Sequence, residues 1–84
     1  MEGYHLAQIS VKDMKRIEKS RNSVHEEAPA TYTIFEDGGE KYFQIDTYGR
    51  NEREFPEKIS QTIQLTKESA RHLVRLLIDT YDLL

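Results

Sequence analysis

The chain has 84 residues with 12 basic and 15 acidic side chains, a net charge of −3 and no cysteine. This length is enough for a single small domain over residues 1–84 with a thin core, and the lack of cysteine excludes disulfides and thiolate metal sites. The acidic balance argues against a general affinity for nucleic-acid backbone but does not exclude local basic patches. Since the sequence has no signal-peptide pattern and no apolar run of membrane-spanning length, we expect a soluble cytoplasmic protein.

The amino-terminal part of the chain is predicted to contain a helix over residues 10–20. Ser10 is a good N-cap, Asp13 follows three residues later as in a capping box, and apolar residues then recur at helical spacing. The segment carries a basic patch, Lys12, Lys15, Arg16, Lys19 and Arg21. Such a patch is usually a solvated face, and the alternative is a surface that contacts phosphates or an acidic partner. Residues 3–9 could form a short additional strand or a disordered arm.

Three strands are predicted in the middle of the chain. The runs rich in β-branched and aromatic residues are 31–36, 41–48 and 58–65. Asp37-Gly38-Gly39 between the first two runs is typical of a hairpin turn, and a charged loop over 49–57 precedes the third. Because successive strands are joined by short loops, we predict a three-stranded antiparallel meander.

A long amphipathic helix is predicted at the carboxy terminus. Thr66 is its N-cap, and Glu68 lies in the first turn, where a negative charge suits the helix dipole. An apolar stripe follows at helical spacing, formed by Ala70, Leu73, Val74, Leu77, Tyr81 and Leu84. Leu76 and Leu83 form a second, narrower stripe. We therefore predict an α+β domain in which this helix packs on one face of the sheet.

Alternation divides the strand residues between two faces of the sheet. The apolar set, which should face the helix, is Tyr32, Ile34, Phe43, Ile45, Ile59, Ile63 and Leu65. The other face is polar with three aromatic rings, and an antiparallel sheet ordinarily shows such a face to water. The alternative is a docking surface for single strands, where rings stack on bases and cations hold phosphates. The candidate nucleic-acid-binding residues are Tyr42, Gln44, Tyr48, Arg50, Arg53, Lys58, Ser60 and Thr62.

The order of elements over residues 31–84 resembles the transcriptional coactivator PC4-like single-stranded DNA-binding domains. The likeness lies in a polar and aromatic strand, a charged loop, and a segment from Lys58 to Glu68 that leads directly into the last helix. The resemblance implies a curved sheet backed by a helix, dimers formed through the helices, and single strands bound across the sheet. It implies strand-binding roles for Tyr42, Gln44 and Tyr48 on the middle strand and for Arg50, Arg53 and Lys58 in the loop.

The sequence carries no recognisable catalytic, metal or cofactor pattern. His25-Glu26-Glu27 has no second cluster spaced to complete a metal site, and the serines have no recognisable base partner. Gly38-Gly39 joins two strands, whereas phosphate-binding glycine loops precede a helix. We therefore predict a non-enzymatic protein without cofactor or metal.

Two functions from different classes fit these observations. The first is a small, dimeric nucleic-acid-binding module that prefers single strands and uses the polar face and the charged loop. The second is a protein-binding module, such as a phage or mobile-element inhibitor of a larger host protein. We predict the first, because the aromatic and polar face is flanked by Arg50, Arg53 and Lys58. The second is the alternative, and its motivation is the compact size, the acidic balance and the lack of catalytic groups.

Overall fold

The computed structural model describes residues 5–49 and 59–84 and shows a four-stranded mixed sheet followed by one α-helix, which confirms the α+β class. The elements are β1 (His5–Gln8), β2 (Ala30–Asp37), β3 (Glu40–Tyr48), β4 (Ile59–Leu65) and α1 (Lys67–Tyr81). The strand order is β1-β4-β3-β2, so β1 and β2 are the edges. Within the described part of the chain, no helix combines the length and apolarity needed to cross a membrane.

The hairpin between β2 and β3 is confirmed. Asp37 pairs with Glu40 across a two-residue turn, and Gly38 and Gly39 both have positive φ, 61° and 82°. Two consecutive residues in the left-handed region suit the right-handed twist of the flanking strands, and glycine adopts this region without steric cost. The turn therefore sets the register of the two longest strands.

The predicted three-stranded antiparallel meander is wrong as a description of the whole sheet. β2, β3 and β4 are antiparallel neighbours, but β1 adds a fourth strand parallel to β4. Leu6 lies opposite Thr62, and the Ile9 amide donates to the Gln64 carbonyl at 3.0 Å. Pairing on both sides satisfies the backbone groups of β4, which would otherwise be an edge. Of the two alternatives for residues 3–9, the structure shows a strand, which covers His5–Gln8.

The predicted helix over residues 10–20 is also wrong. A single 3₁₀ turn covers Val11–Asp13, and the chain then runs without regular structure to β2. The Ser10 hydroxyl donates to an Asp13 carboxylate oxygen at 2.9 Å and makes no capping bond to the backbone. Helices shorter than about 12–15 residues need a packed apolar face. Met14 and Ile17, which would have formed that face, are exposed.

The amino-terminal cap of α1 is confirmed. The Ser69 amide donates to Thr66 Oγ1 at 3.1 Å, and the Thr66 amide donates to Ser69 Oγ at 2.8 Å. These reciprocal bonds form a capping box and satisfy two backbone donors at the helix start. At the other end, Asp82 adopts a left-handed conformation with φ 57° and its amide donates to the Ile78 carbonyl. Both ends of α1 are thus defined by local hydrogen bonds.

The helix does not pack across the sheet, which corrects the predicted arrangement. Its contacts are mainly with β4 and the 3₁₀ turn, and Val74, Leu77 and Tyr81 of its apolar stripe are exposed. The reason is the connection, since Thr66 alone separates β4 from α1 and has an extended backbone. A one-residue link does not give the chain room to fold the helix back over the strand that precedes it.

Candidate functional site

A hydrogen-bonded row of amide side chains crosses the polar face of the sheet. Gln8 Nε2 donates to Gln64 Oε1 at 3.3 Å, and Gln64 Nε2 donates to Gln44 Oε1 at 2.8 Å. Gln44 Nε2 in turn donates to both carboxylate oxygens of Asp46, at 3.2 and 3.3 Å. This row links β1, β4 and β3 through side chains as well as backbone, so it fixes their relative register.

The row ends at a buried carboxylate. Asp46 and Thr62 are only 6% and 7% exposed, and the Thr62 hydroxyl donates to Asp46 Oδ1 at 2.6 Å. Hydrogen bonds to charged groups contribute more than neutral ones, about 1.5–3 kcal/mol each. The centre of the polar face is therefore an internal network in which these groups already have partners.

Aromatic residues lie beside this network. The rings of Phe35 and Tyr42 are directly opposite each other on β2 and β3, with centroids 5.4 Å apart and an interplanar angle of 27°. The Tyr48 hydroxyl lies 3.0 Å from Thr31 Oγ1. All three rings are half-buried, so each leaves part of its surface open to a ligand.

The structure brings together only some of the predicted nucleic-acid-binding residues. Those that lie on β3 and β4 are Tyr42, Gln44, Tyr48, Ser60 and Thr62. Thr62 is buried and bonded to Asp46, so the face is not open at that point, in contrast to the prediction. Arg50, Arg53 and Lys58 lie outside the described residues, and their relation to this face stays a prediction.

The second basic patch is not the helical ridge that the sequence predicted. Lys12 is in the 3₁₀ turn, and Lys15, Arg16, Lys19 and Arg21 are in the irregular segment that follows. Arg16 Nε is 3.3 Å from a Glu18 carboxylate oxygen, and both side chains are largely exposed. Exposed ion pairs of this kind contribute about 0–1 kcal/mol. The five cations are therefore spread along an exposed chain and do not share one surface of a helix.

The opposite, apolar face of the sheet consists of Tyr32, Ile34, Phe43, Ile45, Ile63 and Leu65. Four of its side chains are exposed, Tyr32 by 67%, Ile34 by 57%, Ile63 by 39% and Phe43 by 36%. Tyr32 and Phe43 stack, with centroids 5.2 Å apart and rings inclined by 10°. A sheet normally buries its apolar face and exposes its polar one. Here the burial is reversed.

This reversal leaves the described part of the chain with almost no apolar interior. Among the described residues, Leu65 is the one large apolar side chain that is buried, at 8% exposure. The chain exposes 7863 Å² in total, against roughly 5,200 Å² expected for a compact monomer of its mass. Large contiguous apolar patches on a protein surface mark interaction sites. The apolar face is the strongest candidate for a functional surface.

An open groove runs from this face to the first turn of α1. Its apolar lining comes from Ile34, Phe43, Leu65 and Ala70, and Glu36 and Lys41 border it at the hairpin end. Sequence reasoning identified the apolar set but expected α1 to cover it. The signal that could have revealed the open face is the single residue between the end of the third predicted strand and the cap of the helix.

The described residues show no arrangement suited to metal binding, since no three histidine, cysteine, aspartate or glutamate side chains among them are grouped to hold an ion. Scans against family models, curated proteins and solved structures gave no match for this chain. The resemblance to PC4-like domains therefore stays a prediction, and the two faces of the sheet are the candidate functional surfaces.

Proposed function

We propose that this chain is a non-enzymatic protein-binding module whose apolar face docks another polypeptide. The observation that supports the proposal is the exposure of Tyr32, Ile34, Phe43 and Ile63 on one continuous face. Aromatic residues are enriched at the centres of protein interfaces, where they supply much of the binding energy. The stacked pair of Tyr32 and Phe43 lies within this face and fits that role.

Removal of this apolar face from water would supply the binding free energy. Covering apolar surface contributes about 25 cal/mol per Å² removed from solvent, and a standard interface covers about 800 Å² on each partner. Single exposed apolar residues need no such explanation, but four neighbours on adjacent strands do. A partner that covers this face supplies the burial that the chain does not achieve within its described residues.

In-cell photo-crosslinking tests this function directly. A photoreactive amino acid at position 34 should form an adduct with a polypeptide in the cells that naturally produce the chain. The same amino acid at position 33 is the matched control. Thr33 directly precedes Ile34 in β2, is also exposed, and lies on the other face of the sheet. Equal yields from the two positions, or no adduct at position 34, would refute a docking surface here. A specific adduct with a larger host protein would favour the inhibitor hypothesis.

A second candidate function, single-strand binding, is supported by the rings on the polar face. Phe35, Tyr42 and Tyr48 are half-buried and carry open ring surface, and base stacking on such rings contributes about 1–3 kcal/mol per base. Titration with a labelled single-stranded oligonucleotide at two salt concentrations tests it. Tyr48→Ala should weaken binding and Arg53→Ala should reduce its salt dependence, whereas Tyr32→Ala on the apolar face should change neither. No binding at low salt would refute this candidate.

A further inference from the structure

Two apolar surfaces of the same chain remain uncovered and do not meet. One is the apolar face of the sheet, and the other is the stripe of α1 that contains Val74, Leu77 and Tyr81, all exposed. Each has the chemistry that would cover the other. The stripe has the spacing of an amphipathic helix that lays one side into an apolar groove.

The geometry of the strand-to-helix connection keeps them apart within one chain. Thr66 has φ −90° and ψ 173°, which continues the extended direction of β4 before the helix begins. The capping box holds this junction, and Ser69 within it is the most completely buried residue described. Of α1, only its first turn borders the groove on the apolar face, through Lys67 and Ala70. The rest of α1 continues beyond the groove.

From this juxtaposition we infer that the occupant of the apolar face is a second copy of the chain, whose α1 stripe lies in the groove while its own apolar face receives the first α1. The inference rests on the proposed protein-binding function and names its partner. Such an exchange is reciprocal, so a two-fold axis closes the assembly and leaves no unfilled copy of either surface. It also differs from a contact between helices alone, because the sheet is the acceptor.

The exposed area is consistent with this assembly. The difference between the observed surface of 7863 Å² and that of a compact monomer is about 2,700 Å². Interfaces of obligate homodimers bury about 2,000–5,000 Å² in total, or about 1,000–2,500 Å² from each chain. Part of this excess comes from the irregular segment 14–29, every residue of which is exposed, and the exposed side chains of the apolar face and of the α1 stripe also contribute.

Disulfide trapping tests the inference, and the absence of cysteine makes the background clean. One chain carries Ile34→Cys and the other, with a different affinity tag, carries Val74→Cys. If position 74 docks on position 34 of the partner, the mixed disulfide should form roughly a hundredfold faster than between undocked chains, because docking raises the effective thiol concentration to the millimolar range. The matched control pairs Thr33→Cys with Arg75→Cys, which place the thiols on the opposite sides of the same strand and helix.

Sedimentation of the unmodified chain and of Ile34→Asp provides the second measurement. The unmodified chain should sediment as a dimer, and the variant should shift to monomer while circular dichroism shows retained secondary structure. Equal trapping in both cysteine pairs, or a monomer at every concentration measured, would overturn the second copy as occupant. A monomer that still forms a specific adduct at position 34 with a different protein would leave the protein-binding function standing.

Discussion

The two faces of one sheet have exchanged their usual environments. On the polar face, Asp46 and Thr62 are buried and joined by a 2.6 Å hydrogen bond within a row of amides. On the apolar face, Tyr32 and Ile34 are exposed by more than half. The polar network links β1, β4 and β3 through side-chain hydrogen bonds. The apolar face is exposed instead, and it is the surface that we propose for docking.

The largest expected effect is a difference in the free energy of unfolding between variants at two β4 residues of the apolar face. Leu65→Ala should lower the free energy of unfolding by about 2–5 kcal/mol, because it opens a cavity at a buried apolar position. Ile63→Ala, two residues earlier on the same face and 39% exposed, should cost less at low protein concentration. Urea denaturation at two protein concentrations measures both. If a second chain covers Ile63, its cost should rise with concentration, and equal costs for both variants would contradict the reversed burial.

An intermediate effect is expected on the polar face. Thr62→Val keeps the shape of the side chain but removes the 2.6 Å hydrogen bond to Asp46, which then keeps only the longer bonds from Gln44. A hydrogen bond to a charged group contributes about 1.5–3 kcal/mol, and the free energy of unfolding should fall by about this amount or less. Thr33→Val on the exposed edge strand is the control, and it should change stability by less than about 0.5 kcal/mol. Thermal or urea unfolding tests the pair. If Thr62→Val leaves the free energy of unfolding unchanged, the hydrogen-bonded network does not stabilise the sheet.

The smallest effect concerns the two aromatic pairs, one on each face. Tyr32 with Phe43 and Phe35 with Tyr42 both join β2 to β3, at centroid distances of 5.2 and 5.4 Å. Double-mutant cycles to alanine should give coupling energies of about 0.5–1.5 kcal/mol for each pair. If another chain covers the apolar face, variants of the first pair alone should also weaken association. Weakened association from the second pair alone would reverse the assignment of the faces.

Local chemistry made the hairpin and the final helix predictable from sequence. Asp37-Gly38-Gly39 and Thr66 act on their immediate neighbours, and the residues around each turn or cap determine the outcome. The division of strand residues into two faces followed from alternation for the same reason. The strands at 31–36, 41–48 and 58–65 and the cap at Thr66 therefore agree with the structure to within one residue or so.

The other parts of the fold depend on contacts between residues far apart in the chain, which local sequence patterns do not predict. Ser10 and Asp13 fit a capping box, but Met14 and Ile17, which would form the apolar face of that helix, are exposed. The short strand at His5–Gln8 exists because β4 offers an unpaired edge. For the candidate site, the structure agrees with the predicted sets except at Ile59, which lies opposite Tyr48 of the polar face beyond an irregularity in the pairing of β3 with β4. Which set is open depends on the direction in which α1 leaves the sheet. The alternation of polar and apolar residues along the strands does not predict the direction of α1.

The parallel pairing of β1 with β4 has a consequence for the order of folding. The hairpin of β2 and β3 closes across two residues, whereas the Gln8–Gln64 contact joins positions 56 residues apart. Closing a longer loop costs more entropy and slows the step that forms it. β1 should therefore be the last strand to join the sheet and the first to leave it. Backbone amides at the β1 edge, such as that of Ile9, will exchange with solvent through local opening long before those of the hairpin.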